Sequence, residues 1–175
     1  MDPNAARFEA LAPEVIGAVR RYLARRTDPA TADDVLSETL LICWRRIADV
    51  PDEHLPWAYG VARHCLANAE RAGRRRLRLA ARIAVLDPPA AVAPAPALPD
   101  EDLAAALSRL RAEDAELLRL SAWEDLTPAQ IAVVLSVSPN AVSIRLHRAR
   151  QKLRDELGKA GAAAGHEQPG EGGRR

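Results

Sequence analysis

Residues 87–99 read DPPAAVAPAPALP, and no other segment constrains the fold as much. Pro88, Pro89, Pro94, Pro96 and Pro99 lack a backbone donor and hold φ fixed, so neither a helix nor a sheet ladder can run through them. Such a Pro/Ala stretch is expected to form an extended, semi-rigid linker. It divides the 175-residue chain into two blocks, each of which has to bury an apolar face.

Both blocks carry helical spacing. In the first, Pro13 is expected to open a helix with Val15, Val19 and Tyr22 on one side. Thr31 then stands as a cap before Ala32-Asp33-Asp34, with acids in the first turn where the helix dipole favours them. This second helix is expected to run to about Ala48, with Leu36, Leu40, Cys43 and Ile47 as its core stripe. Asp34, Glu38, Leu41 and Arg45 share another face, with Trp44 nearby. Pro56 is expected to start a third helix, with Ala58, Val61, Ala62, Cys65 and Ala69 inward and His64, Asn68, Arg71 and Arg75 on a different face. In the second block, Leu103, Leu107 and Leu110 mark one helix, and Leu117, Leu118, Leu120 and Ala122 another. No strand alternation of useful length occurs. The predicted fold is all-α: two small helical domains, 5–78 and 102–157, joined by a linker over 79–101. The Gly- and Ala-rich segment 158–175 is too poor in large apolar groups to offset chain entropy and is expected to be disordered. Aromatics are only 3% of the residues, so Ala, Leu and Val must build the cores.

Net charge is +1, but the charges are segregated. Arg71, Arg74, Arg75, Arg76, Arg78 and Arg82 lie in one acid-free run, and Arg145, Arg148, Arg150, Lys152 and Arg154 in another. Two basic stripes separated by acidic segments suit two contacts with a polyanion. Taken singly, either stripe also fits a solvated helix face.

Residues 126–153, LTPAQIAVVLSVSPNAVSIRLHRARQKL, carry the most specific pattern. Thr127 can cap a helix with Pro128 at its first position and Gln130 completing a capping box. Ser136-Val137-Ser138 makes a short turn, and Ser138 caps a second helix that begins at Pro139. Val142, Leu146, Ala149 and Leu153 give that helix a core stripe. Two short helices across a tight turn, the second basic on its outer side, form a DNA-binding helix-turn-helix. Asn140, Ser143 and Ile144, beside Pro139, are placed nearest base edges, with Arg145 and Arg148 close by. His147, Arg150 and Lys152 suit phosphate contacts. An ordinary helical hairpin with a charged outer face is the competing structural reading.

With these residues in view, the chain resembles the extracytoplasmic-function (ECF) group of RNA polymerase sigma factors in the sigma-70 family. TADDVLSETLLICWRRI is similar to the helix by which such factors grip the polymerase clamp. LPWAYGVARHCLANAERAGRRR is similar to the helix that recognises and opens the minus-10 element. LTPAQIAVVLSVSPNAVSIRLHRARQKLRDEL is similar to the minus-35-reading module. The resemblance implies polymerase binding through Asp33, Asp34, Glu38, Leu41 and Trp44. It implies minus-10 engagement through Trp57, Arg63, His64, Asn68, Arg71 and Arg75. For minus-35 it implies Pro139, Asn140, Ser143, Ile144, Arg145, His147, Arg148 and Lys152. Leu41 and Trp44 would alternatively complete the domain core, and Tyr59, beside Trp57, is expected inside. Family members often have Gly where Ser136 stands and Asn where His64 stands. The implied partners are core RNA polymerase, promoter DNA and an anti-sigma factor.

No enzyme site is legible. His54, His64, His147 and His166 are scattered, and no phosphate loop or HExxH occurs. No cofactor and no metal are expected. Cys43 and Cys65 lie in apolar helical patterns and read as buried thiols, with a redox pair as the unsupported alternative. Neither a membrane span nor a secretory signal is legible, so a cytoplasmic location without membrane insertion is expected. A conventional regulator with a signal-sensing N-terminal domain would share the helix-turn-helix but needs neither the helix of Asp33, Glu38 and Trp44 nor the helix from Trp57 to Arg76; a polymerase-binding adaptor or decoy is a further alternative.

Overall fold

A computed structural model describes residues 2–83 and 101–164. Helices α1 (Pro3–Ala24), α2 (Pro29–Arg45) and α3 (His54–Ile83) form an N-terminal unit, with a 3₁₀ turn at Ile47–Asp49 between the last two. Helices α4 (Glu101–Arg109), α5 (Ala112–Ala122), α6 (Pro128–Leu135) and α7 (Pro139–Ala164) form a C-terminal unit. No strand occurs among the described residues, which agrees with the all-α expectation.

Several boundaries differ from the sequence expectation. Helix α1 begins at Pro3, where the Asp2 carboxylate accepts the Asn4 N–H at 3.0 Å, and Pro13 lies inside it. An interior proline removes one helical hydrogen bond and crowds the carbonyl four residues earlier. Packing on both sides of it keeps the helix continuous: Leu11 and Val15 are buried, and the Phe8 ring meets Trp44 edge-on at 5.4 Å. The cap of α2 is Asp28 rather than Thr31; its carboxylate accepts the Thr31 N–H at 3.0 Å, with Pro29 opening the helix. Helix α2 stops at Arg45, short of Ala48, and its apolar stripe ends in the 3₁₀ turn, where Ile47 is buried. Helix α3 starts at His54, so Pro56 falls in its first turn, where no helical donor is needed.

Helix α3 extends to Ile83, beyond residue 78, and α7 continues past Gly158 to Ala164. The linker expected over 79–101 therefore begins as helix. Its Pro-rich part, 87–99, lies outside the described residues, as do residues 165–175 of the expected disordered segment.

The N-terminal core joins Val15, Val19 and Leu23 to Val35, Leu36 and Cys43, and to Ala58, Ala62, Cys65 and Leu66. Thr39 is fully buried among them, and its hydroxyl donates to the Val35 carbonyl at 2.7 Å, which satisfies it. The C-terminal core is built from Leu107, Leu117, Leu120, Ile131, Val134, Val142, Leu146 and Ala149. Both cysteines are free and buried, as expected. Burial pushes the Cys43 thiol up to about 11 and also raises Cys65.

The two units also pack on each other, because α3 lies against α6. The two helices come close at Gly60. A Cβ there would stand 3.5 Å from the Val134 carbonyl oxygen and 3.7 Å from the Val134 Cα.

Candidate nucleic-acid interface

The turn between α6 and α7 is fully specified by local chemistry. Thr127 accepts the Gln130 N–H at 3.3 Å, and Gln130 Oε1 accepts the Thr127 N–H at 2.9 Å, which closes the predicted capping box. At the far end, Ser136 adopts the left-handed conformation at φ 55° and ψ 46°. Its N–H donates to Val133 and the Val137 N–H to Ala132, the two bonds of a Schellman closure. Ser138 then caps α7 by accepting the Ala141 N–H at 3.3 Å. The chain bends by 105° between α6 and α7, within the range of a helix-turn-helix.

On α7, Val142, Leu146 and Ala149 are buried, which turns Asn140, Ser143, Ile144, Arg145, His147 and Arg148 outward with Pro139. Ile144 is 46% exposed, a large apolar side chain on an otherwise polar face. Further along, Lys152 Nζ donates to Asp114 Oδ2 at 2.6 Å, and Arg150 donates to the Ser121 hydroxyl at 3.1 Å. These two cations are tied to α5, whereas Arg145 and Arg148 make no such bond among the described residues.

On α3, His64, Asn68, Arg71 and Arg75 are exposed along one side, with Arg71 donating to the Asn68 side-chain carbonyl. Arg63 is half-buried and faces the other unit. Trp57 is half-buried against the core, with the Arg46 guanidinium 5.6 Å from its ring centre. Tyr59 is buried, as expected, and its ring lies 5.4 Å from that of Tyr22.

On α2, Asp33, Asp34 and Glu38 are exposed, and beside them Leu41 is 45% and Trp44 42% exposed. An acidic rim thus stands beside partly exposed apolar side chains, on a helix whose opposite stripe fills a core. Trp44 also meets the Phe8 ring edge-on, so it is partly packed and partly exposed.

Residues 7–76 match the family Sigma-70 region 2, and residues 100–153 match Sigma-70, region 4. The chain is 32% identical over 170 residues to the ECF RNA polymerase sigma factor SigL of Mycobacterium tuberculosis, covering 90% of this chain and 93% of that one.

The chain belongs to the ECF sigma factors of the sigma-70 family.

It is also 32% identical over 162 residues to the RNA polymerase sigma factor CarQ of Myxococcus xanthus, spanning 87% of this chain and 90% of that protein. Among solved structures, the sigma factor RpoE in complex with the anti-sigma factor NepR from Bartonella quintana shares the fold at a TM-score of 0.63 and 21% identity. That match covers 86% of this chain and 96% of that one. In sigma-factor terms, α1–α3 make region 2 and α4–α7 region 4.

Sequence reasoning missed the side chains that join the two regions: Arg26, Glu116 and Glu124, with Tyr22 and Gln130. Arg26 Nε donates to both Glu116 oxygens at 3.2 Å, and its Nη1 to Glu124 Oε1 at 2.8 Å. The guanidinium also lies 3.7 Å over the Tyr22 ring centre. Burial works against the Arg26 charge, but Glu116, Tyr22 and Glu124 outweigh it and hold the group more firmly protonated than usual. Burial, and then Glu116, push the Tyr22 phenol well above its ordinary value. The only sequence signal was Tyr22 on an apolar stripe; nothing local marks Arg26 as different from Arg25.

Proposed function

We propose that region 2 and region 4 of this sigma factor divide promoter recognition between two helices, α3 for minus-10 and α7 for minus-35, while α2 docks on core RNA polymerase. The observation that carries the reading is the outer face of α7. There Asn140, Ser143, Ile144, Arg145, His147 and Arg148 all stand exposed opposite the buried Val142, Leu146 and Ala149. Asn140 suits adenine, and Arg145 or Arg148 suits guanine, by paired hydrogen bonds in the major groove. Pro139 fixes the first turn of the helix that presents them.

On α3, His64, Asn68, Arg71 and Arg75 meet the minus-10 strand, with Trp57 at the N-terminal end of the helix and Arg63 reaching DNA once region 4 is out of the way. Opening the duplex exposes bases whose trapping by stacking contributes roughly 1–3 kcal/mol each. Asp33, Asp34 and Glu38 supply charge, and Leu41 and Trp44 apolar area, for the polymerase contact. Lys152, held by Asp114, contributes positive potential near the DNA backbone rather than a free hand to a phosphate. The protein carries out no chemistry of its own and works in the cytoplasm. Among the described residues no single helix is long and apolar enough to cross a membrane. An anti-sigma factor is the expected regulator, in line with the RpoE–NepR complex.

Run-off transcription with purified core polymerase on a promoter library tests the assignment. The protein alone should start transcripts from a defined sequence class. A protein that starts transcripts only when another sigma factor is supplied would be a regulator, and one that starts none in either case an adaptor.

A further inference from the structure

We propose that a cavity between α4, α5 and α7 is a binding site for a small anionic amphiphile, an acyl or aromatic carboxylate. Its apolar body would fill the cavity and its carboxylate would meet Arg119 and Arg150. The site lies within region 4 and does not rest on the assignment of α7 to promoter DNA.

The three helices meet around a space of about 330 Å³. Leu107 of α4, Leu118 of α5 and Leu153 of α7 line it, together with Leu103 and Trp123. Leu107 and Leu118 belong to the buried core, whereas Trp123 and Leu153 are only partly covered. The end of α5 brings Ser121 and Ala122 to the same space, and neither is large enough to fill it. A largely apolar cavity of this size, with a few polar groups converging on it, is the usual form of a small-ligand site.

The polar groups select the ligand's charge. Arg119 Nε is buried without a hydrogen-bond partner. A buried charged donor left unmet carries a desolvation cost that an acceptor would recover. The Arg119 guanidinium lies 5.7 Å from the Trp123 ring centre, a contact that offsets part of the cost but supplies no lone pair. Arg150 donates to the neutral Ser121 hydroxyl at 3.1 Å. Neither arginine pairs with a carboxylate among the described residues, whereas Arg26, Arg46 and Arg74 each do. Two guanidinium groups without a counter-charge, beside an apolar space, fit a molecule with one anionic end. A cation would be repelled, and a neutral lipid would leave Arg119 unmet. Inorganic phosphate would meet the arginines but leave the apolar lining wet. A carboxylate on an apolar body satisfies both.

Isothermal titration of the full chain with straight-chain carboxylates, below their micellar concentrations, tests the site. Decanoate should bind one per chain, and affinity should rise by about fourfold for each methylene added from hexanoate upward. Decanol and decyltrimethylammonium should bind about tenfold more weakly or worse. Arg119→Gln should weaken decanoate to the level of decanol and leave decanol unchanged. Ala122→Phe, at an exposed position, should block both ligands while the helical spectrum holds, so the test survives if Arg119→Gln fails to fold. A terminally brominated decanoate should quench tryptophan fluorescence in the wild type, and the quench should vanish in Trp123→Phe although Trp44 and Trp57 remain. Absence of saturable decanoate binding overturns the proposal, as does decanol binding as tightly as decanoate. Quenching that persists in Trp123→Phe puts the ligand elsewhere and overturns it too. An Ala122→Cys thiol shielded from maleimide by core polymerase but not by decanoate would make the cavity a protein contact and overturn the small-ligand assignment.

Discussion

Gly60 offers a sharp test of how regions 2 and 4 meet, because two substitutions there should act in opposite directions. A Cβ at this position meets the Val134 carbonyl oxygen at 3.5 Å, the Val134 Cα at 3.7 Å and the Val133 carbonyl oxygen at 4.0 Å, all ordinary van der Waals distances. Gly60→Ala therefore fits without movement. It also removes the backbone entropy cost of glycine inside α3, a gain of about 0.8–1 kcal/mol. For a chain of this size that corresponds to a melting temperature raised by roughly 2–4 °C. Gly60→Leu places further carbons where the α6 backbone runs, and overpacking of this kind costs about 1–3 kcal/mol. Buried apolar side chains of both regions join in one continuous cluster, so the strain falls on packing at the α3–α6 crossing itself. Circular dichroism melts measure the first effect, and the distance between spin labels at Ser37→Cys and Gln151→Cys measures the second. A Gly60→Ala variant that loses more than about 1 kcal/mol, or a Gly60→Leu variant that keeps the wild-type distance, would refute this account of the crossing.

Thr127→Ala breaks the capping box and should cost about 1 kcal/mol of stability, read by urea denaturation. Cys43 and Cys65 are buried with thiols pushed up, so Ellman's reagent at pH 7.5 should react with both only after unfolding; rapid native reaction would contradict the core packing. Arg145→Ala or Arg148→Ala should weaken minus-35 duplex binding by about 1–3 kcal/mol and relax base preference, checked by anisotropy titration across a base-substituted duplex series. Reversing charge at Asp34 and Glu38 should abolish binding to core polymerase in a pull-down while leaving the helical spectrum intact.

The helix-turn-helix was legible because its signals are local. A cap, a first-position proline and an apolar stripe act within a few residues of each other, and each stands in the structure where the pattern put it. The outward face of α7 follows from the same arithmetic: once Val142, Leu146 and Ala149 point in, Asn140, Arg145 and Arg148 point out. Boundaries were less legible where a distant contact overrode a local preference. Pro13 reads as a helix start, yet Leu11 and Phe8 find partners that keep α1 running through it. Thr31 reads as a cap, but the helix starts earlier, and Asp28 caps it by accepting the Thr31 N–H.

By itself the sequence determined that both regions are helical and which faces of those helices are apolar, because these follow from spacing along a helix; the family was legible through the resemblance of three passages, and the side chains that meet DNA and polymerase are a proposal built on it. Tertiary structure alone decided which of those side chains are free. Arg63 and Arg145 come to share one cavity, Lys152 is claimed by Asp114, and Arg26 is buried between two carboxylates more than 85 residues further along the chain. Helical periodicity says which way a side chain points, but a charge pair across a domain interface depends on how two surfaces meet, and no local spacing encodes that.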